Sequence, residues 1–296
     1  MNDFRVSPTL LKTYKQCQQK AFYGYVKKIK PKKESVGLLR GRVVHNLNQL
    51  YFSFEGELAL KHYINVVLRD HAGKDEIFTG LKEKFDWPAF QDKRSFFSFQ
   101  QFKGQIEAAA SAFFDYFEVN NIKPLILKEE PHFHIEELMP FDIGGVINRP
   151  KIDLLSQDLK IYDWKIGLRK YVTKNGIKPT DVNENLIAYA IAANRKYPDL
   201  FSFPVKTVTV HVVVKKKGEI SDSISWTDGK VSIDGLEELK RNITKEDAEE
   251  YLEESRQSIN SFLNESFVRN KSEQCITMCE FNRICLKGKE EFYVSR

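Results

Sequence analysis

Two aspartates and a lysine stand close together in the stretch IDLLSQDLKIYDWKIG, residues 152–167: Asp153, and Asp163 two positions before Lys165. Two β-forming runs separated by the polar pair Gln157-Asp158 predict a β-hairpin. On a strand, residues two apart share a face, so Asp163 and Lys165 point the same way, and Asp153 can come close across the hairpin. Neighbouring carboxylates raise each other's pKa. A divalent cation relieves that repulsion, and Mg²⁺ is held by one or two carboxylates together with waters and phosphate oxygens. Such an ion would acidify a bound water and polarise a phosphoryl group. Lys165 would orient the water or offset charge developing on the phosphate. By itself, D-x-K also describes an ordinary solvated strand face.

A second group of chemically able residues lies in CITMCEFNRIC, residues 275–285, which carries Cys275, Cys279 and Cys285. A thiolate metal site usually takes four ligands, and the fourth cysteine of the chain is Cys17. One site holding all four would bring the two ends of the fold together. The one-plus-three clustering suits a metal better than two disulfides. Ligand type alone leaves Zn²⁺ and an iron–sulfur cluster equally open.

Residues 7–25 read as one helix, with Ser7 as cap, Pro8 in the first turn and Cys17 facing inward. The basic run KKIKPKK, 27–33, reads as a loop that solvates or touches a polyanion. A second helix spans about 37–54, and more helix falls between 57 and 120. After Pro124 the pattern changes. Residues 126–138 look extended, with His132 and His134 at ordinary strand positions; 184–197 are helical, and 205–217, rich in β-branched residues, are a strand. Residues 218–243 read as loop or insertion, and Thr244 caps a last helix. The Phe-rich stretch 96–102 reads as packing rather than a base-stacking platform.

Taken in order, these motifs resemble those of a RecB-like nuclease of the PD-(D/E)XK superfamily. The resemblance is to the branch with a four-cysteine iron–sulfur cluster, which includes the AddB nuclease domain and CRISPR-associated adaptation nucleases. It covers nearly the whole chain and implies an α/β fold: a restriction-endonuclease-like core with a central mixed β-sheet flanked by helices and carrying a helical insertion. The N- and C-terminal segments would be joined by a 4Fe-4S cluster on Cys17, Cys275, Cys279 and Cys285. The whole chain, 1–296, would be one nuclease domain, with a helical region at about 37–120, the catalytic sheet and helix at 121–217, and cluster-bearing segments at 1–26 and 245–296. Gly41-Arg-Val-Val-His45 matches the G-x-x-x-H motif, whose histidine supports or ligates a metal. Glu129 and Glu130 both qualify as the isolated acid ahead of the hairpin; Glu130 is favoured because Phe133 follows it by three. Asp153 and Asp163-Trp164-Lys165 match the hairpin motifs, and the Trp164 carbonyl would join the metal shell. Asn185 and Tyr189 occupy the Q-x-x-x-Y positions and would face the DNA backbone, with asparagine in place of glutamine. Two further departures are C-x3-C for the usual C-x2-C, and Pro150 where glycine often precedes Asp153; Gly144-Gly145 marks a shifted or lengthened turn.

The chain has 296 residues, 42% hydrophobic and 29% charged, which suits a globular fold with a sizeable core. Its net charge of +5 is compatible with a polyanion partner without requiring one. The absence of a signal-like N-terminus or a membrane-length apolar run suggests a cytoplasmic protein that needs no membrane. The expected activity is Mg²⁺- or Mn²⁺-dependent hydrolysis of DNA, by an exonuclease acting on single-stranded ends in repair, recombination or CRISPR adaptation. No helicase motor is visible, so any unwinding would need a helicase or recombination partner. A catalytically inactive DNA-binding or assembly subunit is the rival reading, and a zinc-stapled non-nuclease protein is another.

Overall fold

The computed structural model of the protein describes residues 5–54, 59–74, 76–86, 99–130, 132–167, 172–173, 176–177, 183–213, 236–264, 279, 281, 284–285 and 293–295. From the N-terminus these form β1 (Arg5–Val6), α1 (Pro8–Gln16), α2 (Gln18–Ala21), a π-helical turn (Phe22–Val26), β2 (Ile29–Pro31), β3 (Glu34–Ser35), α3 (Val36–Ser53), α4 (Leu60–Ala72), α5 (Ile77–Lys84), β4 (Phe85–Asp86) and α6 (Phe99–Val119). There follow β5 (Ile135–Leu138), β6 (Phe141–Ile143), β7 (Val146–Asn148), β8 (Lys151–Leu155), β9 (Lys160–Gly167), β10 (Val172–Thr173), β11 (Gly176–Ile177), α7 (Asn183–Lys196), β12 (Val205–Val213), β13 (Leu236–Ile243), α8 (Lys245–Leu263) and β14 (Tyr293–Ser295).

The central sheet has five strands in the order β13-β12-β9-β8-β5. It is mixed: β12 lies parallel to β9, and the other pairs are antiparallel. β12 reads VKTVTVHVV and is buried everywhere except Lys206, as befits a central strand covered on both faces. Its neighbour β13, LEELKRNI, falls within the stretch expected to be loop or insertion. The charges that hid it belong to an edge position, where one side of the strand faces water and polar residues guard the open ladder. Residues 214–235 lie outside the described residues.

Helices cover both faces of the sheet. On one, α3 to α6 build a core in which Leu39, Leu47, Phe113 and Phe117 meet Trp164 and Val210. On the other, α1, α7 and α8 pack Leu10, Leu11, Leu186 and Tyr251 against Ile152 and Ile161. Lys15 of α1 ties this second layer together through Glu184 at 3.5 Å and Glu254 at 2.7 Å. The caps expected at Ser7 and Thr244 are present: Ser7 Oγ accepts from the Leu10 amide at 3.1 Å, and Thr244 forms a capping box with Asp247. Gly144 and Gly145, both at positive φ, make the tight turn between β6 and β7.

Three other expectations need correcting. The helix expected over 7–25 is broken at Cys17, which is extended (φ −161°, ψ 106°) while its N–H still bonds the Thr13 carbonyl at 2.9 Å. Helix propensity barely distinguishes Gln-Cys-Gln from its surroundings, so tertiary contacts set the break. The KKIKPKK loop contains β2, which pairs antiparallel with β14 at the far end of the chain. Local pattern carries no record of so distant a partner. The stretch 126–138 becomes a strand only at Ile135. Among the described residues, no helix is long and apolar enough to cross a membrane.

Trp164, the central residue of the D-x-K motif, is 1% exposed and rests on Phe117 and Phe113 of α6, with ring centroids 4.9 and 5.9 Å away. Phe117→Ala is therefore expected to lower the free energy of unfolding by about 3–5 kcal/mol, measured by denaturant titration. A loss below about 1 kcal/mol would show that α6 does not support this strand.

Candidate active site

The site is built where strands β5, β8 and β9 lie side by side. β5 pairs Ile135 with Leu154 and Glu137 with Ile152, so the intervening Glu136 and Asp153 face each other across the ladder. β8 pairs Leu154 with Tyr162 and Leu155 with Ile161; carried one step on, the same register sets Asp153 opposite Asp163. Three carboxylates thus stand abreast on three adjacent strands. Like charges in such positions repel, so the sheet must make other arrangements here.

Those arrangements are visible in the backbone. The ladder between β8 and β9 stops after Leu154, and Asp153 Oδ2 accepts the Trp164 N–H at 2.7 Å in place of a backbone carbonyl. Glu136 adopts φ +52°, a left-handed conformation unusual for a non-glycine residue within a strand. Strain of this kind costs on the order of 1–3 kcal/mol and collects at functional sites. It aims the Glu136 carboxylate at His45 of α3, whose Nδ1 lies 2.7 Å from Glu136 Oε1 and 3.5 Å from Asp153 Oδ1.

Asp163 is fully buried, with Lys165 Nζ 2.5 Å from its Oδ1. Its Oδ2 has no hydrogen-bond partner. A buried, unsatisfied carboxylate oxygen is costly and calls for a cation. On the α7 side stand Asn185 and Tyr189, one helical turn apart. Asn185 Oδ1 is likewise buried without a partner. Burial pushes the Tyr189 phenol well above its ordinary pKa, and Asp153, Asp163 and Glu136 push it further, so it stays a neutral O–H donor beside the acids.

The charges are mutually dependent. Burial pushes the Asp153 carboxyl up and Asp163 and Glu136 add to this, while His45 and Lys165 pull it back, leaving it at about 6. Burial alone would lower His45, but Asp153 and Glu136 outweigh it and the imidazole is raised. Burial also raises Glu136, yet His45 and Lys151, the latter 2.6 Å away, hold it below the usual carboxylate range. His45, Glu136 and Asp153 each offer one ligand atom within 4.8 Å of the others. This mixed imidazole and carboxylate set fits a metal site, and Asp163, opposite Asp153 by register, adds an unsatisfied carboxylate oxygen to the same row.

The structure brings together His45, Asp153, Asp163, Trp164, Lys165 and Tyr189, and separates Glu130 from them. Glu130 bonds Lys196 at 3.1 Å and Tyr197 at 2.9 Å in a different group. The acid beside His45 and Asp153 is Glu136. Choosing it from sequence requires the β5–β8 register, whereas the apolar residue three positions after Glu130 is only a local cue. Gly41 has open space where a side chain would project, one turn before His45. Sequence reasoning also missed His211. Its β12 position is paired with Lys165 of β9, and its Nδ1 lies 2.9 Å from Glu237. Burial and Lys165 lower its pKa against the opposing pull of Glu237.

Cys17, Cys279 and Cys285 are half-buried, and Cys275 lies outside the described residues. Among the described residues, the groups of three or more donors within 4.8 Å of one another contain no cysteine. A tetrahedral Zn²⁺ site, with Zn–S of about 2.3 Å, would hold its sulfurs only about 3.8 Å apart. The two cysteine-bearing segments nevertheless meet. Phe281, between Cys279 and Cys285, lies with its ring 5.7 Å from that of Tyr23 and against Gly24.

A mixed sheet carrying a buried row of acids, a lysine two residues beyond the last acid, and a histidine from a flanking helix defines the core of a metal-dependent nuclease. The profile of the PD-(D/E)XK nuclease superfamily matches residues 5–286, and the chain belongs to that superfamily. Among solved structures it is similar to a candidate exonuclease from Eubacterium rectale, at 12% identity over 97% of this chain and 94% of that one, with a TM-score of 0.52. That likeness concerns the fold. SSO0001 aligns at 16% identity over 95% of this chain and 96% of its own, with a TM-score of 0.31. None of the curated proteins compared matches the chain.

The raised carboxyl of Asp153 has a thermodynamic consequence in metal-free protein. Between pH about 4 and 6 the folded state holds a proton that the unfolded state has released, so its contribution falls as pH rises and is lowest above about 6. Asp153→Asn removes that cost. In the presence of chelator at pH 7.5 it is expected to stabilise the fold by about 1–3 kcal/mol, while abolishing the rise in Tm that Mn²⁺ gives the wild type. Lower apo stability in Asp153→Asn would mean that the Trp164 hydrogen bond outweighs the buried charge.

Proposed function

We propose that the protein is a Mg²⁺- or Mn²⁺-dependent deoxyribonuclease that hydrolyses phosphodiester bonds as an exonuclease on DNA with single-stranded ends. The observation that carries this reading is the buried carboxylate row, Glu136, Asp153 and Asp163, with one oxygen of Asp163 left unsatisfied. His45, Glu136, Asp153 and Asp163 would hold the metal, joined by the Trp164 carbonyl. When bound, the ion supplies Lewis-acid polarisation of the phosphate and a more acidic water. Lys165 orients the attacking water and offsets charge on the phosphate; Asp163, in contact with it, holds its ammonium in place. Asp153 keeps the Trp164 peptide fixed through its N–H. Tyr189 donates its phenolic hydrogen to a substrate oxygen, and Asn185 lies one turn away to contact the backbone. Basic side chains bind that backbone without reading sequence. The preference for ends is consistent with the designation of the Eubacterium rectale protein.

Asp163→Ala is expected to abolish Mn²⁺-dependent release of nucleotides from end-labelled single-stranded DNA, a loss on the order of a thousandfold or more, while DNA binding persists. Wild type and variant equally inert, with binding intact, would establish the rival reading of a non-catalytic DNA-binding subunit.

Within the superfamily we assign the chain to the RecB-like branch, with a 4Fe-4S cluster on Cys17, Cys275, Cys279 and Cys285. The apposition of the Tyr23–Gly24 turn and Phe281 supports this, as does the β2–β14 pairing. The cluster's role is to staple the chain ends, within a cytoplasmic protein acting beside a helicase or recombination partner. Anaerobically purified protein is expected to absorb broadly near ~400 nm with matching iron and sulfide, and Cys17→Ser to lose both. Colourless protein with stoichiometric zinc would overturn the cluster and leave the nuclease assignment standing.

A further inference from the structure

Glu130, excluded from the acid row, belongs to a second group of metal-capable side chains. Glu130, His132, His134 and Glu137 each offer a donor atom, and the four atoms lie within 4.8 Å of one another. All come from one short stretch, EPHFHIEE, leading into and along β5. Two imidazoles with two carboxylates is a donor set for a first-row transition ion; Mg²⁺ and Ca²⁺ prefer oxygen alone. Ligands around a Zn²⁺ ion, at about 2.0–2.2 Å, would sit about 3.3–3.6 Å apart, so small side-chain movements complete the shell.

The group as it stands is held by protein contacts. Lys196 Nζ reaches Glu130 at 3.1 Å and Glu137 at 2.6 Å. The Tyr197 hydroxyl donates to Glu130 at 2.9 Å and lies 3.4 Å from His134 Nδ1, which is itself 2.5 Å from Glu137. Two imidazoles enter this group beside the two carboxylates. His134 is completely buried, and its ring lies 4.6 Å from that of His132. The His134 Nδ1 is the nitrogen turned to the group, held by Glu137 and close to the Tyr197 hydroxyl, so the ring is already fixed and dry in the orientation a ligand needs. The Lys196 ammonium supplies the positive charge of the group. Its side chain is 36% exposed, so it can swing into water as an ion enters.

We propose that Glu130, His132, His134 and Glu137 form a second metal site, for Zn²⁺ or a similar first-row transition ion, distinct from the carboxylate row. Its place in the fold gives it a purpose. His134 lies two residues before Glu136 and Glu137 directly after it, and the left-handed backbone of Glu136 aims it at His45. An ion bound to His134 and Glu137 fixes that turn from both sides. Tyr197, just past the end of α7, touches Glu130 and so couples the ion to the helix carrying Asn185 and Tyr189.

The test is calorimetric titration of Zn²⁺ into chelator-treated protein, in parallel for wild type, His132→Ala, Lys196→Met and Asp153→Asn. Co²⁺ absorption identifies which ions are nitrogen- and oxygen-bound, since thiolate ligation adds an intense charge-transfer band. His132 is exposed, so its loss leaves the fold intact. His132→Ala is expected to lose one equivalent, or to weaken it on the order of tenfold or more, with no thiolate band lost. Lys196→Met should tighten the same equivalent several-fold by removing the competing ammonium. Asp153→Asn should keep this ion and lose a different one; failure of that arm alone would count against the nuclease metal centre and not against this site. Unchanged stoichiometry and affinity in both His132→Ala and Lys196→Met would overturn the proposal.

Discussion

Three carboxylates abreast in the interior of a sheet are the constraint around which the rest of this molecule is arranged. Each would prefer water, and each repels its neighbour. A strand register that opposes Glu136 to Asp153 and Asp153 to Asp163 is stable only if positive charge and donors are supplied on the spot. The fold supplies them from separate elements. α3 delivers His45, β9 delivers Lys165 and the Trp164 N–H, and β8 itself delivers Lys151. None of these satisfies the last oxygen of Asp163.

The scaffold answers the same demand mechanically. Alternation along β9 sends Tyr162 and Trp164 into the aromatic core under α6, and Asp163 and Lys165 to the opposite face. The anchored aromatics hold the strand while its polar face carries the charges. β8 gives up a backbone ladder bond so that Asp153 can take the Trp164 amide, and β5 accepts a left-handed residue so that Glu136 can reach His45. Local stability is thus surrendered at the positions where the chemistry is gathered.

What could be read from the sequence follows the range of the interactions. Asp163 and Lys165 were legible because a strand period of two is a local property. Asp153 was legible because a short polar turn brings its strand back beside them. Glu136 was not, because β6 and β7 intervene between β5 and β8, and the register across that excursion is set by tertiary pairing. Glu130 satisfied a local cue and belongs to another group of side chains. β13 was hidden by the charges of an edge strand, and β2 by a partner at the other end of the chain. The break at Cys17 interrupts a pattern whose apolar period runs on unperturbed on either side.

The terminal helices also bear on the layer that covers the acids. α1 and α8 form one layer with α7, and Lys15 binds acids on both of the other helices. α7 carries Asn185 and Tyr189 over the carboxylates, so its height above the sheet is set from outside by the terminal helices. The segments that follow α1 and α8 also meet, through β2 with β14 and Phe281 with Tyr23. On this geometry the terminal segments belong to the machinery of the site as much as the hairpin does.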